Sequence, residues 1–139
     1  MKKFIIIAIF IAVVILLGLF YRNFLLPEAL QTVEESGKTI EIEMRAIKNE
    51  WRFDPDYFEV GAGDRVVINF YNEDDYDHGF ALEAYGINKR LPPKEWVKLE
   101  FVAGRVGEFP FYCSVSCGSG VVDGVKRTHF DMVGKMMVR

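Results

Sequence analysis

Apolar residues follow two patterns along this chain, one unbroken and one alternating. From Phe4 to Tyr21, eighteen residues pass without a charged side chain. As a helix rising about 1.5 Å per residue the run reaches roughly 27 Å, close to the ~30 Å hydrocarbon thickness of a bilayer, so it can span one. From Thr39 onward the apolar positions alternate with polar ones or come in short runs between turn residues, which is the period of strands. Ile40, Ile42, Met44 and Ala46 alternate with Glu41, Glu43 and Arg45. Further runs are Tyr57 to Val60, Arg65 to Tyr71, Gly79 to Leu82, Trp96 to Val102, Gly107 to Tyr112 and Gly134 to Arg139. Turns separate them, such as Gly61 to Asp64 and the loop holding Gly86, Pro92 and Pro93. Seven or eight strands in about 100 residues predict an all-β fold, an antiparallel two-sheet sandwich, preceded by one N-terminal transmembrane helix. No helical period long enough for a core helix follows the first run.

Lys2 and Lys3 precede the apolar run and Arg22 follows it. The positive-inside bias then puts the N-terminus in the cytoplasm and the remainder on the extracytoplasmic side. A cleaved signal peptide is the alternative, with a usual apolar region of about 7 to 15 residues and a small-x-small cleavage site. The exit Gly18-Leu-Phe-Tyr-Arg-Asn-Phe-Leu-Leu-Pro27 offers no such site, which favours an uncleaved anchor. The expected organisation is an anchor over residues 1–22, a linker over 23–38 with a helical turn or two, and a domain over 39–139. Without Lys2, Lys3 and Arg22, the exported part keeps fourteen basic residues against twenty acidic ones, a net charge of −6. That balance disfavours nucleic acid and favours a cationic partner, with an on-rate that falls as salt rises.

The candidate chemistry is sparse. Two cysteines and two histidines fall as His78, Cys113-Ser-Val-Ser-Cys117 and His129-Phe-Asp-Met132. Thiolate, imidazole and thioether form a soft-to-borderline ligand set, better suited to copper than to magnesium or calcium. Zinc accepts two thiolates and two imidazoles, but its sites seldom recruit a thioether and usually show tighter paired spacings. A structural disulfide between Cys113 and Cys117 is the competing reading, because the exported side can be oxidising. Singly, each histidine reads as a surface or hydrogen-bonded residue and Met132 as core; the joint pattern singles them out. The acidic run Glu73 to Asp77 reads as a solvated loop, while its place before His78 leaves open a role in docking a cationic redox protein.

The order His…Cys-x-x-x-Cys-Gly…His-x-x-Met follows Trp51-Arg-Phe-Asp-Pro-Asp-Tyr-Phe-Glu-Val-Gly-Ala-Gly-Asp64. In this order, over about residues 45–139, the chain resembles the cupredoxin domain of cytochrome c oxidase subunit II and nitrous oxide reductase. The resemblance implies a Greek-key cupredoxin sandwich carrying a dinuclear copper centre of the CuA type. It implies Cys113 and Cys117 as bridging thiolates, His78 and His129 as terminal imidazoles, Met132 as a weak thioether ligand and Val115 as a backbone carbonyl donor. It implies electron transfer, either as a subunit of a terminal oxidase or as a free-standing relay, with a cationic redox protein such as a c-type cytochrome and, in the first case, oxidase subunits as partners; the chain shows no haem-binding helices and no catalytic centre of its own.

Trp51 occupies a place where an aromatic belongs to the electron entry path in the resembling oxidases, and a core or edge tryptophan is the alternative. Two features depart from the pattern. Eleven residues, Gly118 to Thr128, separate the second cysteine from His129 where the family usually has three. Val115 replaces a glutamate that in many oxidase subunits also serves a second metal at the subunit interface; the carbonyl donor survives that change and the interface role does not. Other readings stay open: a mononuclear blue-copper site using His78, His129, one cysteine and Met132, a copper delivery or sensing protein, or an anchored adhesion-type sandwich.

Overall fold

The computed structural model describes residues 2–25 and 34–139. The N-terminal unit is a helix, α1 (Lys2–Phe20), continued by a π-helical turn over Tyr21–Leu25. Lys3–Leu25 is long and apolar enough to cross a membrane, and none of it is buried against the chain itself. Residues 26–33, half of the expected linker, lie outside the described residues. The last part of that linker is tied to the domain. Ser36 N–H donates to the Gly63 carbonyl at 2.8 Å and its hydroxyl donates to Asp64 at 2.6 Å.

The second unit is a sandwich of β1 (Thr39–Ala46), β2 (Phe53–Asp54), β3 (Tyr57–Val60), β4 (Arg65–Asn72), β5 (His78–Leu82), β6 (Ile87–Leu91), β7 (Trp96–Val102), β8 (Gly107–Tyr112), β9 (Ser119–Val122), β10 (Val125–Thr128) and β11 (Val133–Val138). One sheet runs β2-β1-β4-β7 and the other β3-β11-β8-β5-β6, while β9 and β10 pair only with each other. The alternation seen in β1 becomes its burial: Met44 and Ala46 are buried and Glu41 and Glu43 are exposed. Between the sheets Phe53, Phe70, Phe80 and Phe111 are fully buried. Phe53 meets the other three at ring-centroid distances of 6.5, 5.9 and 5.8 Å. Each such ring contributes about 1.5–3 kcal/mol by leaving water.

The sandwich is as expected, but its pairing is mixed and not antiparallel throughout. β1 runs parallel to β4, and β3 parallel to β11. A period of two assigns faces and is silent on direction, so the pattern could not reveal this. Four strands were also hidden. β2 has two residues, β6 carries the polar triplet Asn88-Lys89-Arg90 at a sheet edge, and β9 with β10 form a hairpin inside the eleven-residue excursion.

Candidate metal centre

The pairing of β8 with β11 places the ends of the long loop side by side. Tyr112 lies opposite Val133, and just beyond them the Cys113 N–H donates to the Met132 carbonyl at 2.9 Å. β5, on the other side of β8, brings in His78 as its first residue. His78, Cys113 and Cys117 are all buried, and one ligand atom from each falls within 4.8 Å of the others. Both cysteines are free thiols, with their sulfurs 3.7 Å apart. The Cys113 sulfur lies 3.8 Å from His78 Nδ1 and 3.2 Å from the Val115 carbonyl oxygen.

Met132 is fully buried in the same apolar cluster as the two cysteines. His129 stands outside the tight group. With Cys113, Tyr112, Phe130 and Val133 it lines an adjoining cleft of about 380 Å³. Its Nδ1 is buried and without a hydrogen-bond partner among the described residues. Two free buried thiols facing an imidazole, with an unpaired buried imidazole nitrogen in the residue across the cleft from Cys113, are what a soft cation would satisfy, so the residues fit copper.

The protons of the thiol pair are unequally held. Hydrogen bonding from Cys117 draws the Cys113 thiol down to about 4, against its burial, and His78 and the Gly79 N–H assist. The Cys117 thiol is pushed the other way, first by the bond to Cys113 and then by burial. Burial works against a charged His78, yet hydrogen bonds with Cys113 and Asp74 outweigh it and raise its pKa. Metal ligands must shed such protons, so metal uptake here releases them.

Two supports, Asp74 and the Gly79 N–H, escaped the sequence reading, and Trp51, singled out there, makes a third. Asp74 Oδ2 lies 2.7 Å from His78 Nε2, with both residues buried, and Asp74 Oδ1 accepts the Asn49 N–H at 2.8 Å. Binding Nε2 this way fixes the ring so that Nδ1 faces the sulfurs. Gly79 N–H points at the Cys113 sulfur from 3.4 Å. Trp51, 8% exposed, donates its indole N–H to the Cys117 carbonyl at 3.2 Å. The signal for Asp74 was its place four residues before His78, masked by the acidic run around it. That run is not a free acidic patch: Glu73 pairs with Arg45, Asp75 with Lys48 and Lys94, and Asp77 with Arg90, while Asp74 is buried on His78.

A family model for the cupredoxin-like domain matches residues 8–122. The chain belongs to this family. Over 84 residues, 58% of its length, it is 33% identical to the nitrous-oxide reductase of Stutzerimonas stutzeri, of which it spans only 12%. Its fold is similar to a chain of a haem-copper terminal oxidase dimer, with a TM-score of 0.57, 18% identity, and coverage of 99% of this chain and 97% of that one. It is also similar to the periplasmic domain of subunit II of cytochrome oxidase from Bradyrhizobium japonicum, with a TM-score of 0.55, 18% identity, and coverage of 77% and 87%. The resemblance drawn from the cysteine motif therefore holds, and the fold is that of a cupredoxin.

The excursion before His129 does not carry the cupredoxin loop away from the site. Asp123 and Gly124, at φ of 49° and 78°, make the two-residue turn that joins β9 to β10, and such left-handed pairs suit hairpins. Ser119 pairs with Thr128 at its base, and the His129 N–H donates to the Gly118 carbonyl at 3.1 Å. The chain thus returns to its point of departure. Thr128 then caps the turn carrying His129, accepting from the Phe130 N–H at 3.2 Å, while Asp131 accepts from the Thr128 N–H at 2.7 Å.

Gly120 lies against the Trp51 ring, where a Cβ would overlap it. Deleting Gly120 to Arg127 leaves three residues, Gly118, Ser119 and Thr128, between Cys117 and His129. We expect this variant to keep its copper content and spectrum and to lose about 1–2 kcal/mol as Trp51 is uncovered. Metal analysis and urea denaturation check it. Loss of copper would instead make the hairpin part of the site.

Proposed function

We propose that the chain is a membrane-anchored electron-transfer protein whose extracytoplasmic cupredoxin domain holds a dinuclear copper centre. The observation that carries this reading is the buried group of His78 and two free thiols, with His129, its Nδ1 unpaired, lining a cleft that Cys113 also lines. Cys113 and Cys117 are the bridging ligands, His78 and His129 the terminal imidazoles, Met132 the weak thioether and Val115 the carbonyl donor. Copper so bound supplies a one-electron redox change spread over two ions. The chain contributes stiffness: β5, β8 and β11 hold the donors, Asp74 fixes the His78 ring, and Trp51 fixes the Cys117 carbonyl. Donors held in place limit rearrangement when charge changes, which is what fast transfer requires.

Lys3–Leu25 anchors the domain, with the N-terminus inside by the positive-inside bias. The partner is a cationic redox protein of the c-type cytochrome class, and oxidase subunits are the proposed setting. Steering comes from the net charge of the exported part and not from the acidic run, whose carboxylates are engaged. Contact falls at the site's own pole. Among the described residues of the domain, six large hydrophobic side chains are exposed, and four of them, Val121, Val125, Phe130 and Val133, lie on the hairpin or next to His129.

A single-copper site is the second reading, favoured by a tight group in which only one imidazole meets the thiols. Mixing the oxidised, copper-loaded chain with a reduced c-type cytochrome tests the function. Rapid reoxidation of the cytochrome, slowing as salt rises, is expected. No electron uptake, together with copper that passes readily to a chelator, would make the protein a copper carrier.

A further inference from the structure

Asn72 ends β4 and is fully buried, a place where an amide is costly unless each of its polar atoms has a partner. All of them do. Its Nδ2 donates to the Tyr76 carbonyl at 2.8 Å and to the Leu91 carbonyl at 2.9 Å, while its Oδ1 accepts the Asp74 N–H at 2.9 Å. On the main chain, its N–H donates to the Glu95 carbonyl at 3.3 Å and its carbonyl accepts the Lys94 N–H at 2.9 Å. The side chain can sit only one way round, because two of its partners are carbonyls that accept and the third is an N–H that donates. An aspartate would set oxygen against both carbonyls, and a leucine would leave all three groups unpaired.

The amide therefore fastens residues 73–77 at two points, the Asp74 N–H and the Tyr76 carbonyl, and ties them to β6 in the other sheet. In that segment one carboxylate turns inward among neighbours that turn out. Glu73, Asp75 and Asp77 pair with Arg45, Lys48, Lys94 and Arg90, whereas Asp74 is buried, with Oδ1 on the Asn49 N–H and Oδ2 on His78 Nε2. The bond from the Asp74 N–H to Asn72 fixes the backbone from which that side chain leaves. Hydrogen bonds thus run from Asn72 to Asp74 and from Asp74 to His78.

We propose that Asn72 is a positioning residue of the metal centre, its amide holding the 73–77 segment so that Asp74 faces inward and keeps the His78 ring oriented for ligation. This rests on the copper reading given under the proposed function. Because Asn72 acts through Asp74, its influence on metal binding should vanish once the Asp74 carboxylate is removed. A residue that only stabilised the fold would act with or without that carboxylate.

Asn72→Ala, Asp74→Ala and the double variant, each in the full chain, separate the two roles. Chelator competition reads copper affinity. Amide hydrogen exchange of the metal-free protein reads the Asn49 N–H, which reports whether Asp74 stays in place. Asn72→Ala is expected to weaken copper binding by no more than the roughly 10–100-fold that follows loss of the orienting group itself. It should speed Asn49 exchange relative to the amides of β8 and β11, and weaken binding no further once Asp74 is alanine. Asn72→Ser keeps a short acceptor for the Asp74 N–H and should fall between; it carries the same comparison if the alanine variant does not fold. An equal loss of affinity in the Asp74→Ala background, or Asn49 exchange and copper affinity both at the parent's values, would overturn the proposal. A parent chain that takes up no copper would remove the copper reading, and Asn49 exchange would still decide whether Asn72 places Asp74.

Discussion

Replacing Cys117 with serine is expected to bring the copper content of the loaded chain from two ions to at most one, and to abolish any signature of a shared electron. The serine hydroxyl keeps its proton at neutral pH and is a harder donor, so it cannot bridge two soft ions. Cys117 is 8% exposed and its carbonyl is bound by Trp51, so the variant keeps its backbone tie and loses little packing. Metal analysis and optical spectra of the purified variant read the outcome. An unchanged spectrum would exclude Cys117 as a bridge and leave Cys113 as the sole thiolate ligand. The converse variant, Cys113→Ser, should be as damaging, because Cys113 is the sulfur that meets His78, Val115 and Gly79 together.

Asp74→Ala is expected to lower copper affinity by about 10–100-fold, the usual consequence of removing the group that orients a histidine ligand. It also leaves the Asn49 N–H and His78 Nε2 without their shared acceptor, and each such loss costs about 1–3 kcal/mol in a buried place. Competition with a chelator of known affinity gives the first quantity and urea denaturation of the metal-free protein gives the second. Asp74→Asn should recover much of the stability, since an amide oxygen can still accept from one partner. Equal copper affinity in all three proteins would mean that His78 is held by its strand alone.

These two residues illustrate what was legible in the sequence. The cysteines were readable because soft donors are few in the chain and fall in one recurring order. Asp74 was not, because a carboxylate inside an acidic run looks solvated until the fold supplies the buried imidazole that justifies its burial. The strand faces of β1 and β7 could be read directly from alternation, since side chains on a strand point to opposite sides at every step. Strand direction could not, and so the parallel pairs β1 with β4 and β3 with β11 were unforeseen.

The excursion before His129 is the instructive case. Gly118, Gly120 and Gly124 let the chain turn out and back, but only the Ser119 and Thr128 pairing shows that it closes on itself. Gly120 has a second role there, because the Trp51 ring fills the space a side chain would need. Trp51 itself is held at a φ of 48°, in a region bulky residues seldom adopt, between the Cys117 carbonyl and the hairpin. No local pattern foretells such a position; it follows from long-range packing.

The most direct test of the dinuclear centre is metal analysis of the full chain combined with electron spin resonance of its oxidised form. The account predicts two copper ions per chain and a hyperfine pattern from one unpaired electron shared equally between two nuclei. One copper per chain, with the hyperfine pattern of a single nucleus and one cysteine free to alkylate, would contradict it.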